Sequence, residues 1–325
     1  MMEGMTDTGT HTATPRDWWE AARPHTWPNA FAPVIAGTGV AALTLQAHPG
    51  RAVLALLVAW ALIIGVNYAN DYSDGIRGTD EDRVGPVRLV GQGLANPSNV
   101  KLAAFASFFV AAFVGLALIT LANTPWLLLV GVAAIIAAWK YTGGKNPYGY
   151  QGLGEVFVFI FFGLVAVMGT EYTQSGLVTW EGFLCALAIG AISASVNLAN
   201  NIRDIPTDAA AGKRTLAVRL GDDKARTLFT VLTLFPFFIS VVLSMTTVSA
   251  LAALVALPLA VASVQKVRGG ASGAELIPVL GLNGKTMLLW AVVTAVAFAW
   301  FGWSFWGQFA GIGGMGEAVP YAPLS

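Results

Sequence analysis

Long apolar runs alternate with short polar stretches along most of the chain, and this alternation predicts membrane-spanning helices. Nine runs are long enough, at roughly 17 to 25 residues each, to cross a bilayer as a helix. We therefore predict an all-α integral membrane protein. The predicted spans are residues 28–46, 52–71, 101–122, 125–142, 153–171, 180–202, 226–245, 248–265 and 285–306.

Basic residues predict the orientation of these helices, because Lys and Arg gather in cytoplasmic loops. With the N-terminus inside, nine spans leave only Arg51 on the outside, and omitting one span would exchange the sides of every later loop. We predict an N-terminus inside, a C-terminus outside, and chemistry at the cytoplasmic face of the cell membrane. The other 17 of the 18 basic residues then lie inside: Arg16, Arg23, Arg77, Arg83, Arg88, Lys101, Lys140, Lys145, Arg203, Lys213, Arg214, Arg219, Lys224, Arg226, Lys266, Arg268 and Lys285.

The two ends of the chain differ from the predicted transmembrane domain, residues 16–306. Residues 1–15 are rich in Thr and Gly without an apolar core, which predicts a disordered leader and not a signal peptide. Residues 17–24 are typical of a short amphipathic helix at the membrane interface. Residues 307–325 contain no Lys or Arg and form an extracytoplasmic tail in this topology.

Composition narrows the chemistry that the chain can perform. With 56% hydrophobic and 11% charged residues, the chain is far more apolar than an ordinary soluble domain. The single cysteine, Cys185, cannot form an intramolecular disulfide, and three scattered histidines do not form a metal site. A metal would therefore have oxygen ligands, which favours magnesium, and less strongly manganese, over zinc.

The most informative polar stretch, residues 67–80, directly follows an apolar run. Asp71 and Asp74 are three apart, so a helix places both on one face, where they repel each other unless a cation lies between them. A similar stretch occurs 130 positions later. We interpret the pair as an internal duplication that brings two acidic helix ends to one cavity, with chance coincidence as the alternative. Asn67, Ala69, Asn70 and Asp74 recur as Asn197, Ala199, Asn200 and Asp204.

Carboxylates on two opposed elements can clamp a diphosphate through divalent ions, which hold the phosphates and neutralise the charge that develops as diphosphate leaves. The alternative is a set of solvated loop carboxylates; among the predicted ligands it is strongest for Asp80, and it is stronger still for Glu81 and Asp82. Pro206 is expected to end its helix, so a shared face for the second pair is not assured. The predicted magnesium ligands are Asp71, Asp74, Asp80, Asp204 and Asp208, and the predicted catalytic residues are Asp71, Asp74, Asp204, Asp208 and Asn70.

Basic, amide and tyrosine side chains near these carboxylates are candidates for binding substrate. The alternatives are topogenic charge for the basic residues, helix-to-helix hydrogen bonds for the amides, and interfacial anchoring for tyrosine. Arg77, Arg83, Arg88, Arg203, Lys213 and Arg214 are candidates to bind phosphate, and Phe157, Phe159, Phe161 and Phe162 to line a channel for an apolar chain, or simply to pack. The predicted substrate-binding residues are Arg23, Asn67, Arg77, Tyr141, Lys145, Asn200, Arg203 and Lys213.

Two motifs carry a resemblance to a known family. Asn70-Asp71-x-x-Asp74 resembles the first acidic motif of the UbiA superfamily of membrane prenyltransferases, and Arg203-Asp204-x-x-x-Asp208 with Gly212-Lys213-x-Thr215-Leu216 resembles its second. Gly78 stands where the commoner first motif has its third aspartate, and the acid is displaced to Asp80. This displaced acid resembles the pattern of the branch that prenylates 1,4-dihydroxy-2-naphthoate in menaquinone synthesis. Two further stretches are similar to the same branch: Arg83-Val84-Gly85-Pro86-x-Arg88 and Ala22-Arg23-Pro24.

The resemblance implies nine spans around a central cavity that is capped by two inner loops and open laterally to lipid. The aspartates of both motifs would bind Mg2+ and diphosphate, and ionisation would give a carbocation that water destroys. The naphthoate carbon bearing the carboxylate would attack, and loss of carbon dioxide and a proton would restore aromaticity. The implied partners are a polyprenyl diphosphate, 1,4-dihydroxy-2-naphthoate and the lipid bilayer, with no nucleic acid.

Two other functions agree with parts of the sequence. Another aromatic acceptor, 4-hydroxybenzoate or homogentisate, is compatible with the superfamily motifs, although the displaced Asp80 counts against 4-hydroxybenzoate. A transporter would also place repeats and polar helix ends at a cavity. An odd number of spans and carboxylates gathered at one face favour the enzyme.

Overall fold

The computed structural model describes residues 12–78 and 87–312, and within these ranges the chain is helical without a β-strand. Short 3-10 segments occur at Pro24–Thr26, Tyr148–Gln151, Val248–Ala256 and Gly273–Leu276, and Phe159–Met168 is a π-helix. The α-helices are α1 (Pro15–Ala21), α2 (Pro28–Leu43), α3 (Pro49–Gly75), α4 (Pro97–Ala122), α5 (Leu127–Lys140), α6 (Gly154–Val158), α7 (Gly169–Ser175), α8 (Trp180–Arg203), α9 (Ile205–Ala210), α10 (Leu216–Leu220), α11 (Asp222–Leu243), α12 (Leu257–Arg268) and α13 (Ile277–Ile312).

Several sequence predictions fall on residues that lie outside the described ranges. These are the metal ligand Asp80, the phosphate candidate Arg83, most of the leader and the tail from residue 313. Within the leader, the described part begins at Thr12, and Thr14 caps α1 by accepting a hydrogen bond from the Asp17 backbone N–H. The predicted amphipathic helix at residues 17–24 corresponds to α1, which ends earlier, at Ala21.

Seven helical segments of the described chain are long and apolar enough to cross a membrane. They are Pro49–Gly75, Pro97–Ala122, Gly154–Ser175, Trp180–Arg203, Asp222–Leu243, Val248–Arg268 and Gly273–Trp306. The other two predicted spans correspond to α2 and α5, which are apolar but only 16 and 14 residues long. A 14-residue helix is about 21 Å long, less than the roughly 30 Å hydrocarbon core. Nine crossings therefore remain a prediction.

Turns explain why α2 and α5 are shorter than the apolar runs that contain them. The chain turns at Leu45, whose φ is 59°, so the run that begins at residue 28 stops being helical at Leu43. α5 begins only after Pro125, and the glycines Gly143 and Gly144 follow its end. Hydrophobicity continues through these turns, and for this reason hydrophobicity alone overestimated the helix lengths.

The second acidic motif ends α8, the most enclosed of the long helices. It packs against α2, α11, α13 and the π-helix, and most of its side chains are buried. Glycine allows close approach to the π-helix: a Cβ on Gly163 would lie 2.6 Å from the Gly190 Cα atom. Small residues at such contacts are typical of helix packing in membranes. α8 is therefore closely packed on several sides, and this packing positions the polar residues at its end.

The connections between the long helices gather at two opposite ends of the bundle. At one end, the Ala13 N–H donates to Leu94 O at 2.9 Å, and the Arg214 N–H donates to Tyr150 O at 2.9 Å. At the other end, the Arg51 guanidinium donates to Leu121 O at 2.8 Å and Thr173 O at 3.1 Å. The connections that the distribution of basic residues assigns to the cytoplasm all lie at the first end of the bundle. Arg51, which the same distribution assigns to the outside, lies at the second end.

Labelling of introduced cysteines tests the nine crossings. In a Cys185→Ala background we expect a membrane-impermeant maleimide to label Ala47→Cys and Pro125→Cys in sealed right-side-out vesicles, and Lys145→Cys only after permeabilisation. The reason is that α2 and α5 both cross in the predicted topology. Lys145 labelled as readily as Pro125 before permeabilisation would show that α5 does not cross.

Candidate functional site

A cavity of about 380 Å³ lies between α2, α3, α4, α5, α8 and the helical segment Gly154–Ser175. Most of its lining is apolar, and it reaches Thr173 near the end of the bundle where Arg51 lies. Its polar residues concentrate at the opposite end, where both acidic motifs end their helices. The polar residues at that end include Arg23, His25, Asn67, Asn70, Asp74, Arg88, Tyr141, Tyr150, Asn197, Asn200, Asn201, Arg203, Asp208 and Lys213.

Asn67 and Asp71 form one stripe of α3 and bind backbone groups of other segments. Asn67 Nδ2 donates to Ala22 O at 2.9 Å. The Asp71 carboxylate accepts from the N–H groups of Leu89 at 2.7 Å and Val90 at 3.1 Å. Asp71 is 1% exposed and does not line the cavity. This carboxylate therefore holds the segment that follows residue 86, and its role as a magnesium ligand stays a prediction.

Asn70 and Asp74 form the neighbouring stripe of α3 and face the connection between α5 and α6, residues 141–153. Asn70 Oδ1 accepts from the Thr142 hydroxyl at 2.8 Å, and Asp74 Oδ1 accepts from the Tyr150 hydroxyl at 2.6 Å. Both α3 residues line the cavity. Their carboxylate and amide therefore reach the space in which a substrate would bind.

The connection 141–153 also binds the second motif, so it joins the two acidic helix ends. The Tyr141 hydroxyl donates to Asn197 Oδ1 at 2.9 Å, while Glu155, just beyond the connection, accepts from Asn201 Nδ2 at 2.6 Å. Tyr150 O accepts from the Arg214 backbone N–H. Thr142 and Tyr150 carried no spacing signal of their own, and sequence reasoning missed them as site residues. Asn197 appeared only as the counterpart of Asn67 in the repeated stretch and was not named as a site residue.

Lys213 lies between the two motifs at the polar end of the cavity. Its Nζ is 3.8 Å from Asp74 Oδ2 and 3.9 Å from Asp208 Oδ1, and it lies 4.5 Å from the centre of the Tyr150 ring. The side chain is 5% exposed. Two carboxylates from separate helices thus share one cation, which partly offsets the repulsion that two buried negative charges would otherwise have.

The two aspartates of the second motif have different surroundings. α8 ends at Arg203 and α9 begins at Ile205, which agrees with the helix break predicted at Pro206. Asp204, at the break, accepts two hydrogen bonds from the Arg203 guanidinium, at 2.7 and 2.8 Å, and does not line the cavity. Asp208 does line it. No three His, Cys, Asp or Glu residues form a metal-binding group within the described ranges.

Three arginines lie around His25 at the same end of the cavity. Burial, and then the charges of Arg23, Arg203 and Arg88, lower the pKa of His25 to about 4. The imidazole is therefore neutral near pH 7. Burial is the larger cause of this shift, and the three arginine charges add to it. Sequence reasoning named all three arginines but not His25, whose isolated position in the chain gave no signal.

Two predicted substrate-binding residues lie elsewhere. Arg77 donates to Thr142 O and Gly144 O, both at 2.5 Å, and does not line the cavity. Lys145 is exposed and also outside the lining. Through its two hydrogen bonds, Arg77 therefore supports the 141–153 connection.

Asn200, in contrast, does line the cavity, and its Nδ2 lies 3.4 Å from Val196 O.

An aromatic wall continues from the polar end into the apolar part of the cavity. The Tyr148 and Phe157 rings stack with centroids 4.0 Å apart, and Phe157 stacks on Phe161 at 6.2 Å. Burial raises the pKa of Tyr148 above its usual range, so its hydroxyl stays neutral. Phe162 also lines the cavity, whereas Phe159 packs against Gly190. Three of the four predicted channel phenylalanines thus face the cavity.

The fold and the two motifs define the class of protein. The model of the UbiA prenyltransferase family matches residues 30–276, and the chain belongs to this family. Among solved structures, a UbiA homolog from Archaeoglobus fulgidus bound to GPP and Mg2+ superimposes with a TM-score of 0.59 at 16% identity, over 87% of this chain and 99% of that one. At this identity the likeness establishes the fold alone.

Several named bacterial enzymes are much more similar to this chain in sequence than that solved structure is. The chain is 56% identical over 282 residues to the 1,4-dihydroxy-2-naphthoate octaprenyltransferase of Mycobacterium tuberculosis, covering 87% of this chain and 96% of that one. It is 42% identical over 215 residues to the Escherichia coli enzyme of the same name, covering 64% of this chain and 70% of that one.

Replacement of Asp71 tests its role in holding the segment after residue 86. Asp71→Asn retains one acceptor and turns an N–H donor toward a backbone N–H, so we expect a loss of about 1 to 3 kcal/mol in stability. Thermal unfolding in detergent should show a lower Tm, and amide exchange at Leu89 and Val90 should accelerate. Asp222→Asn is the matched control, because its carboxylate is 57% exposed and its pair with Arg226 contributes little. Unchanged exchange in Asp71→Asn would contradict the assignment.

Proposed function

We propose that this chain transfers a polyprenyl group from an allylic diphosphate to 1,4-dihydroxy-2-naphthoate, with loss of the carboxylate, to give demethylmenaquinol in menaquinone biosynthesis. The observation that carries the proposal is a single cavity with a charged end and an apolar remainder. The chain that forms it is 56% identical to the 1,4-dihydroxy-2-naphthoate octaprenyltransferase of Mycobacterium tuberculosis. The charged end suits the diphosphate and the carboxylate. The apolar part suits the prenyl chain.

Asp74, Asp208 and Lys213 are the residues we assign to the diphosphate. Phosphate oxygens are acceptors only, so the Lys213 ammonium is a direct donor to them. Lys213 lies within 4 Å of both carboxylates, so the leaving group would be bound where the two motifs meet. Tyr150 holds Asp74 in place through its hydroxyl.

The same residues suit a divalent cation. Asp74 and Asp208 are hard oxygen donors on separate elements, and the Lys213 ammonium within 4 Å of both supports a cation site between them. We propose that these two residues hold magnesium, which when bound would neutralise the charge of the departing diphosphate. The commitments of Asp71 and Asp204 to protein groups make them supporting residues in this proposal.

The reaction balances without an external base. The C–O bond of the allylic diphosphate breaks, and diphosphate leaves with the electron pair. The prenyl carbon then bonds to the ring carbon that bears the carboxylate. Cleavage of the bond to the carboxylate returns two electrons to the ring and releases carbon dioxide. The overall loss from the free acid is carbon dioxide and one proton, and the ionised carboxylate has already given up that proton before it binds, so this step needs no base.

Water must be kept from the cationic prenyl carbon, since capture by water gives an alcohol and wastes the diphosphate. The rings of Tyr148, Phe157 and Phe161 line the path from the polar end, and aromatic faces stabilise a cation. In the proposed orientation this end faces the cytoplasm, where both substrates' polar groups are soluble, and the chain is a multi-pass protein of the cell membrane.

The fate of the carboxylate separates this acceptor from 4-hydroxybenzoate. With acceptor labelled with carbon-13 at the carboxyl group, we expect labelled carbon dioxide to appear in step with diphosphate and product to carry no label. Mass spectrometry of both products measures this. Homogentisate and 4-hydroxybenzoate serve as competing acceptors. Product that retains the label, or faster turnover of 4-hydroxybenzoate, would contradict the acceptor assignment and leave prenyl transfer standing.

Removal of the charges around Lys213 tests the diphosphate site. Asp74→Asn, Asp208→Asn and Lys213→Gln should each lower turnover at least tenfold, which corresponds to about 1.4 kcal/mol of transition-state stabilisation. The two aspartate variants should also need more magnesium for half-maximal rate, and chelator should abolish wild-type activity. Asp222→Asn is the control, with wild-type rate and metal response. Normal magnesium response in both cavity variants would rule out these carboxylates as ligands.

A further inference from the structure

The polar end of the cavity contains asparagine side chains as well as charged ones. Asn201, near the end of α8, lines the cavity and is only 8% exposed. We propose that Asn201 binds the hydroxyl group at position 4 of the acceptor ring, and that Glu155 is a positioning residue that fixes the Asn201 amide. This inference rests on the proposed function and specifies how the site recognises a hydroxylated ring.

Glu155 determines which way the Asn201 amide faces. Asn201 Nδ2 donates to Glu155 Oε1 at 2.6 Å, so the NH2 group is turned toward the carboxylate. The carbonyl oxygen, Oδ1, is on the other branch of the amide and faces away from Glu155. Within residues 12–78 and 87–312 this oxygen accepts no hydrogen bond. The cavity lining therefore includes a carbonyl acceptor that is held in place from behind.

A carboxylate at position 155 carries an energetic cost. The Glu155 side chain is 4% exposed, and it lies in the first turn of α6, which packs against α8. A buried carboxylate loses its hydration, and an apolar side chain of similar size would pack between the two helices without that loss. Helix packing alone does not account for Glu155. Its bond to Asn201 indicates a requirement at the cavity, namely a fixed amide.

Asn201 differs from other asparagines of the cavity in the group that holds its amide. Asn67 and Asn200 donate to backbone carbonyls, and Asn197 Oδ1 already accepts from the Tyr141 hydroxyl. Asn201 donates to a carboxylate instead. A hydrogen bond to an anion polarises the amide, so the carbonyl at its other end becomes a stronger acceptor.

The chemistry of the substrates decides what this acceptor binds. Diphosphate and carboxylate oxygens are themselves acceptors, and the prenyl chain has no polar group, so none of them donates to a carbonyl. The two ring hydroxyls of 1,4-dihydroxy-2-naphthoate are the remaining donors. The hydroxyl at position 1 donates to the neighbouring carboxylate within the molecule, whereas the hydroxyl at position 4 has no internal partner. A buried donor without a partner is costly, and Asn201 Oδ1 supplies one.

The test compares two acceptor analogues that each lack one hydroxyl. 1-Hydroxy-2-naphthoate lacks the group at position 4 and 4-hydroxy-2-naphthoate retains it, and both are measured as competitive inhibitors of the full acceptor. For Asn201→Ala we expect a rise of at least fivefold in KM for 1,4-dihydroxy-2-naphthoate and in the inhibition constant of 4-hydroxy-2-naphthoate. The inhibition constant of 1-hydroxy-2-naphthoate and the KM for polyprenyl diphosphate should change less than twofold, because neither ligand donates to Asn201.

Variants of Glu155 test the positioning role separately. Glu155→Leu is of similar size but releases the amide, and we expect the same selective pattern, with at least a threefold rise in KM for the naphthoate. Glu155→Gln retains an acceptor for Asn201 Nδ2 and should give an intermediate KM. In an Asn201→Ala background, Glu155→Leu should have no further effect on KM, because its action passes through Asn201. These variants also keep the proposal testable where Asn201→Ala lowers stability, as measured by thermal unfolding in detergent.

Asn99→Ala is the matched control, because this asparagine is exposed and lies outside the cavity lining. Its kinetic and inhibition constants should equal those of wild type.

Four results would overturn the proposal. Equal losses with both analogues would mean that Asn201 supports the structure of the site. A loss confined to 1-hydroxy-2-naphthoate would exclude position 4, and an increased magnesium requirement with unchanged KM for the naphthoate would make Asn201 a metal ligand. Unchanged constants in both Asn201→Ala and Glu155→Leu would exclude a binding role. Failure of the proposed function is distinct from all of these, because wild-type protein would then not convert the naphthoate at all.

Discussion

The site depends on one electrostatic constraint, the sharing of Lys213 between carboxylates from the two halves of the chain. Asp74 and Asp208 are 3% and 5% exposed, so their negative charges are removed from water and need compensation within the protein. Lys213 lies within 4 Å of both. Tyr150 adds a hydrogen bond of 2.6 Å to Asp74 and lies against the same ammonium. The helix ends are thereby held at a spacing that one cation can bridge.

The two similar helix ends, which we interpret as an internal duplication, have different hydrogen-bond partners. Position 71 in the first copy corresponds to position 201 in the second, where the residue is asparagine. Asp71 accepts from backbone N–H groups, whereas Asn201 donates to the carboxylate of Glu155. Both residues fasten a neighbouring segment to the helix, with donor and acceptor exchanged. The two helix ends share the placement of their polar groups more closely than the chemistry of those groups.

Apolar runs predicted the helical fold, and motif spacing predicted the shared cavity. Apolar runs and motif spacing can be recognised in the sequence alone, because each is a local property of the chain. The same reasoning treated Asp71, Asp74, Asp204 and Asp208 as one clamp. In the structure the four have different partners: Asp71 has backbone donors from a distant segment, and Asp204 has an adjacent arginine. Their joint binding of magnesium stays a prediction. Hydrogen-bond partners far apart in sequence leave no periodic pattern. Tyr150 and Thr142 were missed for the same reason.

Concentrating the charges at one end has a consequence for the rest of the cavity. An ionised group in an apolar medium attracts water unless protein groups satisfy it, and here hydrogen bonds and ion pairs hold most of the motif side chains. The remaining lining can therefore stay apolar. The Phe157 ring stacks on Tyr148, and the Phe161 ring stacks on Phe157. A reactive cation formed at the boundary would meet aromatic faces on one side and held anions on the other. The polar network at the helix ends therefore helps to keep water out of the apolar part of the cavity, because it satisfies the charged groups that would otherwise attract water.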